Sequence, residues 1–275
     1  DIDKKKFTQK KTDLSFPSRC YSYFMNNSVY VSGGMVNKAA LNTFTKFEIK
    51  INFDELVYEE KTLEPMKHGR HSHGMIAHKD YLLAISGSST TNEIYDIARN
   101  MWYDLPELPS TYLNPTLCIN NDSLYLITGS VGINTLDRIY KLSLNNITRV
   151  ISEKGFEDVL YWDSIDFYFP DHGRLRRGMT ALSLETSIVL MGGFDNDNIF
   201  DDMYNLELVK RKPKEGEPVE EQETALRVIK LEETLPIKTF FNSNIMKYDN
   251  HLVMIDAYNN AIELDLKTMD FYYYT

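Results

Sequence analysis

A unit of four short strand-like runs recurs five times along this chain, and that recurrence limits its fold more than any single motif does. Each copy follows a proline, namely Pro17, Pro65, Pro109, Pro170 and Pro236, at intervals of 44 to 66 residues. A first β-like run comes next, at 20–25, 73–78, 115–120, 178–183 and 243–247, and then a turn pair. The pairs are Asn26-Asn27, Lys79-Asp80, Asn121-Asp122, Glu185-Thr186 and Asp249-Asn250, mostly the Asn/Asp chemistry that short hairpin loops favour. The second run ends in small residues at Ser32-Gly33-Gly34, Ser86-Gly87-Ser88, Thr128-Gly129-Ser130 and Met191-Gly192-Gly193, and has lost its glycines in the fifth copy at 252–257. Third runs lie at 44–50, 92–97, 137–143, 202–208 and 261–266. Trp102 and Trp162 mark two of the fourth runs, and Val57 and Val228 hold the same place in two others.

Four short strands cannot bury both faces of their own sheet. Sheets stacked radially about an axis can, and they leave only short, protected edges. No copy shows the period-3.6 stripe that a helical solenoid needs. The expectation is an all-β propeller with five recognisable four-stranded blades in a single domain over 1–275. The approximate blades are 17–64, 65–108, 109–169, 170–235 and 236–275. A strand at 7–16 is left over; it belongs either to a sixth blade or to the seam of a five-bladed ring. The chain opens on Asp rather than Met, so it also reads as a piece of a longer polypeptide.

Tyr-Val-Ser-Gly-Gly at 30–34, Leu-Met-Gly-Gly at 190–193, and Tyr95-Asp96 followed by Trp102 and Pro109 resemble kelch repeats, and the resemblance spans nearly the whole chain. It implies the propeller. Function follows from it only loosely, because propellers of this kind include adaptors, cytoskeletal proteins and a few enzymes.

Composition narrows the function classes. Hydrophobic residues make up 43% and charged residues 25%, the balance of a chain with a real core, and Tyr and Phe number 18 and 14. A net charge of −10 argues against nucleic acid as partner, and the lysines at 4–6 and 10–11 read as a solvated tail. No apolar stretch is long enough to cross a bilayer, so membrane insertion is not expected. Two cysteines, Cys20 and Cys118, suit a reducing, cytoplasmic setting.

Antiparallel connection divides the loops between two faces. Links from a fourth strand to the next first strand share face one with the loops between second and third strands; the remaining loops share face two. Face one then gathers the candidate partner-binding residues: Arg19, Arg70, His71, Tyr112, Arg174, Arg176, Arg177 and Lys238 from the links, with Ser88 and Ser89 from the loops. His68-Gly69-Arg70 and His172-Gly173-Arg174, each followed four residues on by Gly-Met, match Arg70 with Arg174. Partner peptides of the resembled family dock on such a face through arginines, serines and tyrosines. The repeated arginines are either struts between blades or a basic patch for an acidic or polar segment. Face two carries the long links at 144–158 and 209–224, and the second of these, with two prolines and opposed charge blocks, reads as a mobile loop.

Sharper chemistry finds less support. The glycine pairs read as steric necessities, since neither a helix nor a Lys-Ser/Thr follows them. His68, His71, His73 and His78 lack neighbouring Cys, Asp or Glu to complete a metal set, so no metal and no cofactor are expected. No nucleophile motif is present and both cysteines sit among apolar neighbours. The expectation is a non-enzymatic, intracellular protein-interaction scaffold or adaptor. The alternatives are the substrate-receptor propeller of a cullin-type ubiquitin ligase, which needs a BTB or F-box segment elsewhere, and an enzyme with its site in the channel.

Overall fold

The computed structural model of the chain describes residues 14–52, 55–132, 134–135, 138–153, 160–166, 176–210, 224–239, 245–255, 260–265, 267–268 and 270–274. The first sheet joins β1 (Tyr21–Met25), β2 (Ser28–Ser32), β5 (Phe44–Asn52) and β6 (Glu55–Thr62), with a small hairpin, β3 (Met35–Val36) and β4 (Ala39–Ala40), between β2 and β5. The second runs through β7 (Gly74–His78), β8 (Tyr81–Ile85), β9 (Asn92–Asp96) and β10 (Met101–Leu105). In the third are β11 (Leu113–Asn120), β12 (Ser123–Val131), β14 (Arg138–Ser143) and β15 (Trp162–Asp166), with the short β13 (Asn134–Thr135) on β12. The fourth holds β16 (Thr180–Ser183), β17 (Ser187–Met191), β18 (Asp202–Lys210) and β19 (Thr224–Thr234). The fifth holds β20 (Met246–Tyr248), β21 (His251–Ile255), β22 (Ala261–Asp265) and β23 (Phe271–Tyr274). Each is an antiparallel meander, and the five are the blades of a β-propeller.

The turn pairs explain the hairpins. Asn26, Asn27, Asn121 and Asp122 all adopt the left-handed backbone that a two-residue hairpin demands, with φ between 47° and 54°. Second strands of the second, third and fourth blades read as nearly continuous apolar runs because each is covered on both sides. Leu82 faces back into the core with Tyr30 and Phe44 of the first blade, whereas its neighbour Leu83 faces forward into the core with Leu124 and Leu126 of the third. The same alternation puts Tyr125 with Ile188 and Leu190, and Val189 and Met191 with Met254 and Ile262.

Both tryptophans join blades, as their place before the prolines implies. Trp102 Nε1 donates to Glu64 O at 2.8 Å and Trp162 Nε1 to Pro106 O at 2.9 Å, each reaching the end of the blade before its own. First strands turn inward: Tyr21, Tyr23, Met75, Thr116, Cys118, Thr180 and Ser183, with Leu252 of the fifth blade, line a central cavity of about 290 Å³.

Two expectations about face two change. The link at 144–158 is not simply a loop, for it contains a short helix, α1 (Ile147–Glu153), whose Ile147 and Ile151 are buried with Leu144, Leu160 and Leu105. A single i, i+4 apolar pair is too short a stripe to stand out in the sequence. The link at 209–224 is strand at both ends, with Val209 paired to Ala225 and Lys210 to Thr224; its middle, 211–223, lies outside the described residues. So does most of the leftover strand at 7–16. Its last residue, Phe16, packs edge-on against Phe47 with ring centroids 5.6 Å apart.

Candidate functional site

Face one is built on a repeated backbone device. Ser72 N donates to Arg19 O (3.0 Å), Asn114 N to Ser72 O (2.8 Å) and Gly178 N to Asn114 O (3.5 Å). These four residues stand at the entries to the first strands of four successive blades, Asn114 as the second residue of β11, and all four are left-handed, with φ of 57°, 51°, 50° and 63°. An arc of equivalent residues is thereby hydrogen-bonded from blade to blade around the channel mouth.

A second device lies just behind it. Gly34 N donates to Arg70 O, Gly87 N to Tyr112 O and Gly193 N to Thr239 O, at 2.9, 3.1 and 2.9 Å. Thus the glycine ending one blade's second strand grips the link entering the next blade. The steric reading of the glycines holds: a Cβ on Gly33 would stand 2.3 Å from Arg70 O, and its φ of 59° is itself unfavourable to a side chain.

The side chains at these link positions turn inward. Arg70 is 0% exposed. Its Nη1 donates to Ser86 O (3.2 Å) and Thr91 O (2.6 Å), and its Nη2 to Glu93 Oε1 (2.5 Å). Glu93, also buried, accepts from Lys67 N and His68 N with its two oxygens, which ties the link to the blade. Burial draws the Arg70 pKa below its usual value, and the Glu93 charge opposes that shift. Arg176 does the same in the fourth blade, binding Gly192 O, both oxygens of Asp202, and Tyr204 Oη, with its guanidinium over the Phe200 ring. Burial would raise the Asp202 pKa, but hydrogen bonding and charge from Arg176, helped by Tyr204 and Lys230, hold it below the usual carboxylate value. In the third blade Tyr112 occupies the slot, its hydroxyl donating to Tyr140 Oη at 3.0 Å.

Three expected contact residues are therefore corrected. The side chains of Arg70, Tyr112 and Arg176 brace their own blades and, among the described residues, do not bridge to a neighbour's carboxylate, and a buried guanidinium must be hydrogen-bonded and paired. The expected match is corrected too. Met75 pairs with Ala84 and Ala181 with Leu190, which aligns Arg70 with Arg176 and not with Arg174. The His-Gly-Arg repeat is two residues out of register. Arg174 itself lies outside the described residues.

The other candidates do reach the surface. Arg19 and Lys238 are exposed, and His71, Ser88, Ser89 and Arg177 are half-buried. Ser88 locks the loop to the link: His71 N donates to Ser88 Oγ and Ser88 N to His71 O, both at 3.1 Å. Ser89 Oγ is shared with Thr91 Oγ1 at 2.7 Å. Arg177 lies over the Phe194 ring and donates to Asn196 Oδ1 at 3.2 Å. Arg19, next in charge to His71, pushes the imidazole pKa down after burial has done so. His73 is deeper still, on Ser32 Oγ at 2.7 Å, and burial, then Arg70 and His71, lower its pKa to about 3. The Cys118 thiol, on the cavity wall, is pushed up to about 12 by burial.

One feature escaped the sequence reading. The connection between second and third strands of the first blade carries the β3–β4 hairpin, standing on face one beside Arg19. The spacing from Gly34 to Phe44, longer than the matching stretch of the second blade, was its only trace.

The comparisons agree with the architecture. No family model matches the chain. Kelch-like protein 40 of Xenopus laevis is 34% identical over 143 residues, which is 49% of this chain and 22% of that protein. Kelch-like protein 38 of Rattus norvegicus is 26% identical over 145 residues, 47% of this chain and 24% of that protein. The human Kelch-like protein 38 is 27% identical over 146 residues, with the same two shares. The chain thus matches about a quarter or less of the length of these relatives. Among the described residues no helix is long and apolar enough to cross a membrane.

Proposed function

We propose that this kelch-repeat β-propeller is a protein-interaction module that holds a segment of another protein across face one. The observation that carries the reading is the mouth itself. A backbone arc fixes the positions of Arg19, His71 and Arg177, whose side chains reach solvent on a scaffold that needs no reordering to bind. Rigid presentation reduces the entropic cost of association. Two cationic groups at a mouth of an acidic protein suit an acidic or polar segment, recognised by charge-assisted hydrogen bonds. The unpaired thiols of Cys20 and Cys118 suit an intracellular setting for such a module.

A channel enzyme is disfavoured by the wall chemistry, since burial keeps the Cys118 thiol protonated and Thr116 Oγ1 is already bound to Thr128 Oγ1 and Met179 O. A substrate-receptor role in a ubiquitin ligase is compatible with the module but rests on segments outside this sequence.

The test is fluorescence anisotropy with synthetic acidic peptides. Arg19→Glu and Arg177→Glu should each weaken binding at least tenfold, while Lys50→Glu, at an exposed position of β5, leaves it unchanged. Equal affinities for all three proteins would remove the mouth as the binding site.

A further inference from the structure

The β3–β4 hairpin has a counterpart in the fourth blade, and the pair separates what braces the hairpin from what its tip presents. In the first blade Met35 N donates to Ser18 O, Leu41 N to Gly34 O, and Arg70 N to Leu41 O, at 2.7, 2.9 and 2.9 Å. In the fourth, Phe194 N donates to Arg177 O, Phe200 N to Gly193 O, and Thr239 N to Phe200 O, each at 3.0 Å. Met35 pairs with Ala40 as Phe194 bridges Ile199. The two hairpins have the same length, the same anchors and the same neighbours in the repeat.

Their tips differ. In the fourth blade the tip is Asp195-Asn196-Asp197-Asn198-Ile199, and it is closed upon itself, with Asp195 Oδ1 accepting from Asp197 N and Asn198 N. In the first it is Val36-Asn37-Lys38-Ala39-Ala40. Val36 is 47% exposed, and Lys38, Ala39 and Ala40 are exposed beside it. The bracing that holds this apolar tip in water is tight: Gly69 approaches so closely that a Cβ there would stand 2.6 Å from Ala40 O. Two cations flank the tip, with Arg19 next to the Ser18 anchor and Lys38 on the turn, and the exposed imidazole of His68 lies next to Gly69.

We propose that the β3–β4 tip is a docking point for a partner segment in which an apolar side chain is flanked by carboxylates. Val36, Ala39 and Ala40 give the apolar seat, Arg19 and Lys38 supply the complementary charge beside it, and the His68 ring offers a hydrogen bond. A braced hairpin loses no conformational freedom on binding, and an apolar seat ringed by opposite charge is the arrangement of a small interface core with a polar rim. The assignment deepens the reading of face one as the binding face. It places the seat on the hairpin tip of the first blade, at the Arg19 end of the arc.

The equivalent hairpins supply the test. Val36→Asp, Lys38→Asp, Ala39→Asn and Ala40→Ile together convert the first tip into the fourth on unchanged anchors, and the variant should melt within a few degrees of the parent. Fluorescein-labelled 12-residue peptides with one Leu or Phe between Glu residues are the probes, with all-Glu/Ser peptides and Leu-between-Lys peptides as controls. The expected result is binding of the first set alone, and a loss of at least tenfold in the tip variant. If the variant binds those peptides as the parent does while Arg177→Glu does not, the tip proposal fails and the mouth reading stands. Absence of binding by the parent to the Glu-Leu-Glu set overturns it as well. A parent that sediments as a dimer and a tip variant that sediments as a monomer would assign the seat to a second copy of the chain instead.

Discussion

Arg70 and Arg176 each bind a carbonyl sixteen residues further along the chain, Ser86 O and Gly192 O, and so hold the same place in two different blades. Around that shared contact the counter-groups are exchanged. Ala84 pairs with Glu93 and Leu190 with Tyr204, so the carboxylate of one blade is replaced by a phenol in the other, and Asp202 supplies the negative charge two residues earlier. In the third blade Leu126 pairs with Tyr140, and Tyr112 meets Tyr140 in the slot hydroxyl to hydroxyl, at 3.0 Å. One geometric slot therefore accepts three chemistries.

Removing one partner should be far worse than removing both. Arg70→Met leaves Glu93 buried and uncompensated, which for such pairs costs about 3–5 kcal/mol. Arg70→Met with Glu93→Leu should recover much of that loss, as in an apolar slot. Urea denaturation of the two singles and the double gives the coupling directly, and additive losses would mean the pair is not a unit.

Burial of His73 should make stability fall with acid. The folded pKa is about 3 and the ordinary value 6.5, so below pH 6.5 the unfolded chain takes up a proton that the native one refuses. The contribution is complete above 6.5, declines by up to about 1.4 kcal/mol per pH unit, and levels off near pH 3. His73→Gln should flatten the dependence of the urea midpoint between pH 6.5 and 4.5. An unchanged slope would show that carboxylates alone set it.

Asp202 works in the same direction at lower pH. Its folded pKa is depressed, so its stabilisation is present above the ordinary carboxylate value and disappears as pH falls through the folded one. Asp202→Asn should destabilise at pH 7 and lose most of that difference as pH falls through the depressed folded value. The pH dependence of melting temperature for the variant against the parent checks it.

Gly33 and Gly132 share a left-handed backbone, φ 59° and 60°, but differ in surroundings. Gly132→Ala meets nothing within 4 Å and should cost only the conformational penalty, about 1–2 kcal/mol. At Gly33 the added carbon meets Arg70 O, so Gly33→Ala should lose several times more and shift the entry to the second blade. Comparable melting temperatures for the two would refute the grip between blades.

The α1 link on face two should not be expendable. Ile147→Ala and Ile151→Ala each remove a buried branched side chain from the core between the second and third blades, at about 2–5 kcal/mol. Thermal unfolding measures both.

The sequence made the blades legible because a meander writes itself locally. Turn pairs such as Asn121-Asp122 fix hairpins, and Leu82-Leu83 or Ile188-Val189 show strands covered on both sides. The third-strand expectation at 92–97 differs from β9 by a single residue. The site was less legible. Whether an arginine faces solvent or a strand end depends on register, and a two-residue slip in the long fourth link matched Arg70 with Arg174 in place of Arg176. Nor does spacing reveal a counter-ion that arrives from the third strand, as Glu93 and Asp202 do. The hairpin at 35–40 was hidden because each of its strands is only two residues long.

The arc from Arg19 through Ser72 and Asn114 to Gly178 is made wholly of main-chain atoms. An arginine, a serine, an asparagine and a glycine fill four equivalent stations without altering the link between them. The rim therefore behaves like a hoop with interchangeable fittings: its diameter is set by peptide groups, and its taste in partners by whatever side chains are mounted on it. Retargeting such a surface leaves the frame's own hydrogen bonds in place, so a change to Asp at Ser72 or Asn114, a residue that tolerates the left-handed backbone, can add charge to the mouth while the four blades of the arc stay in step.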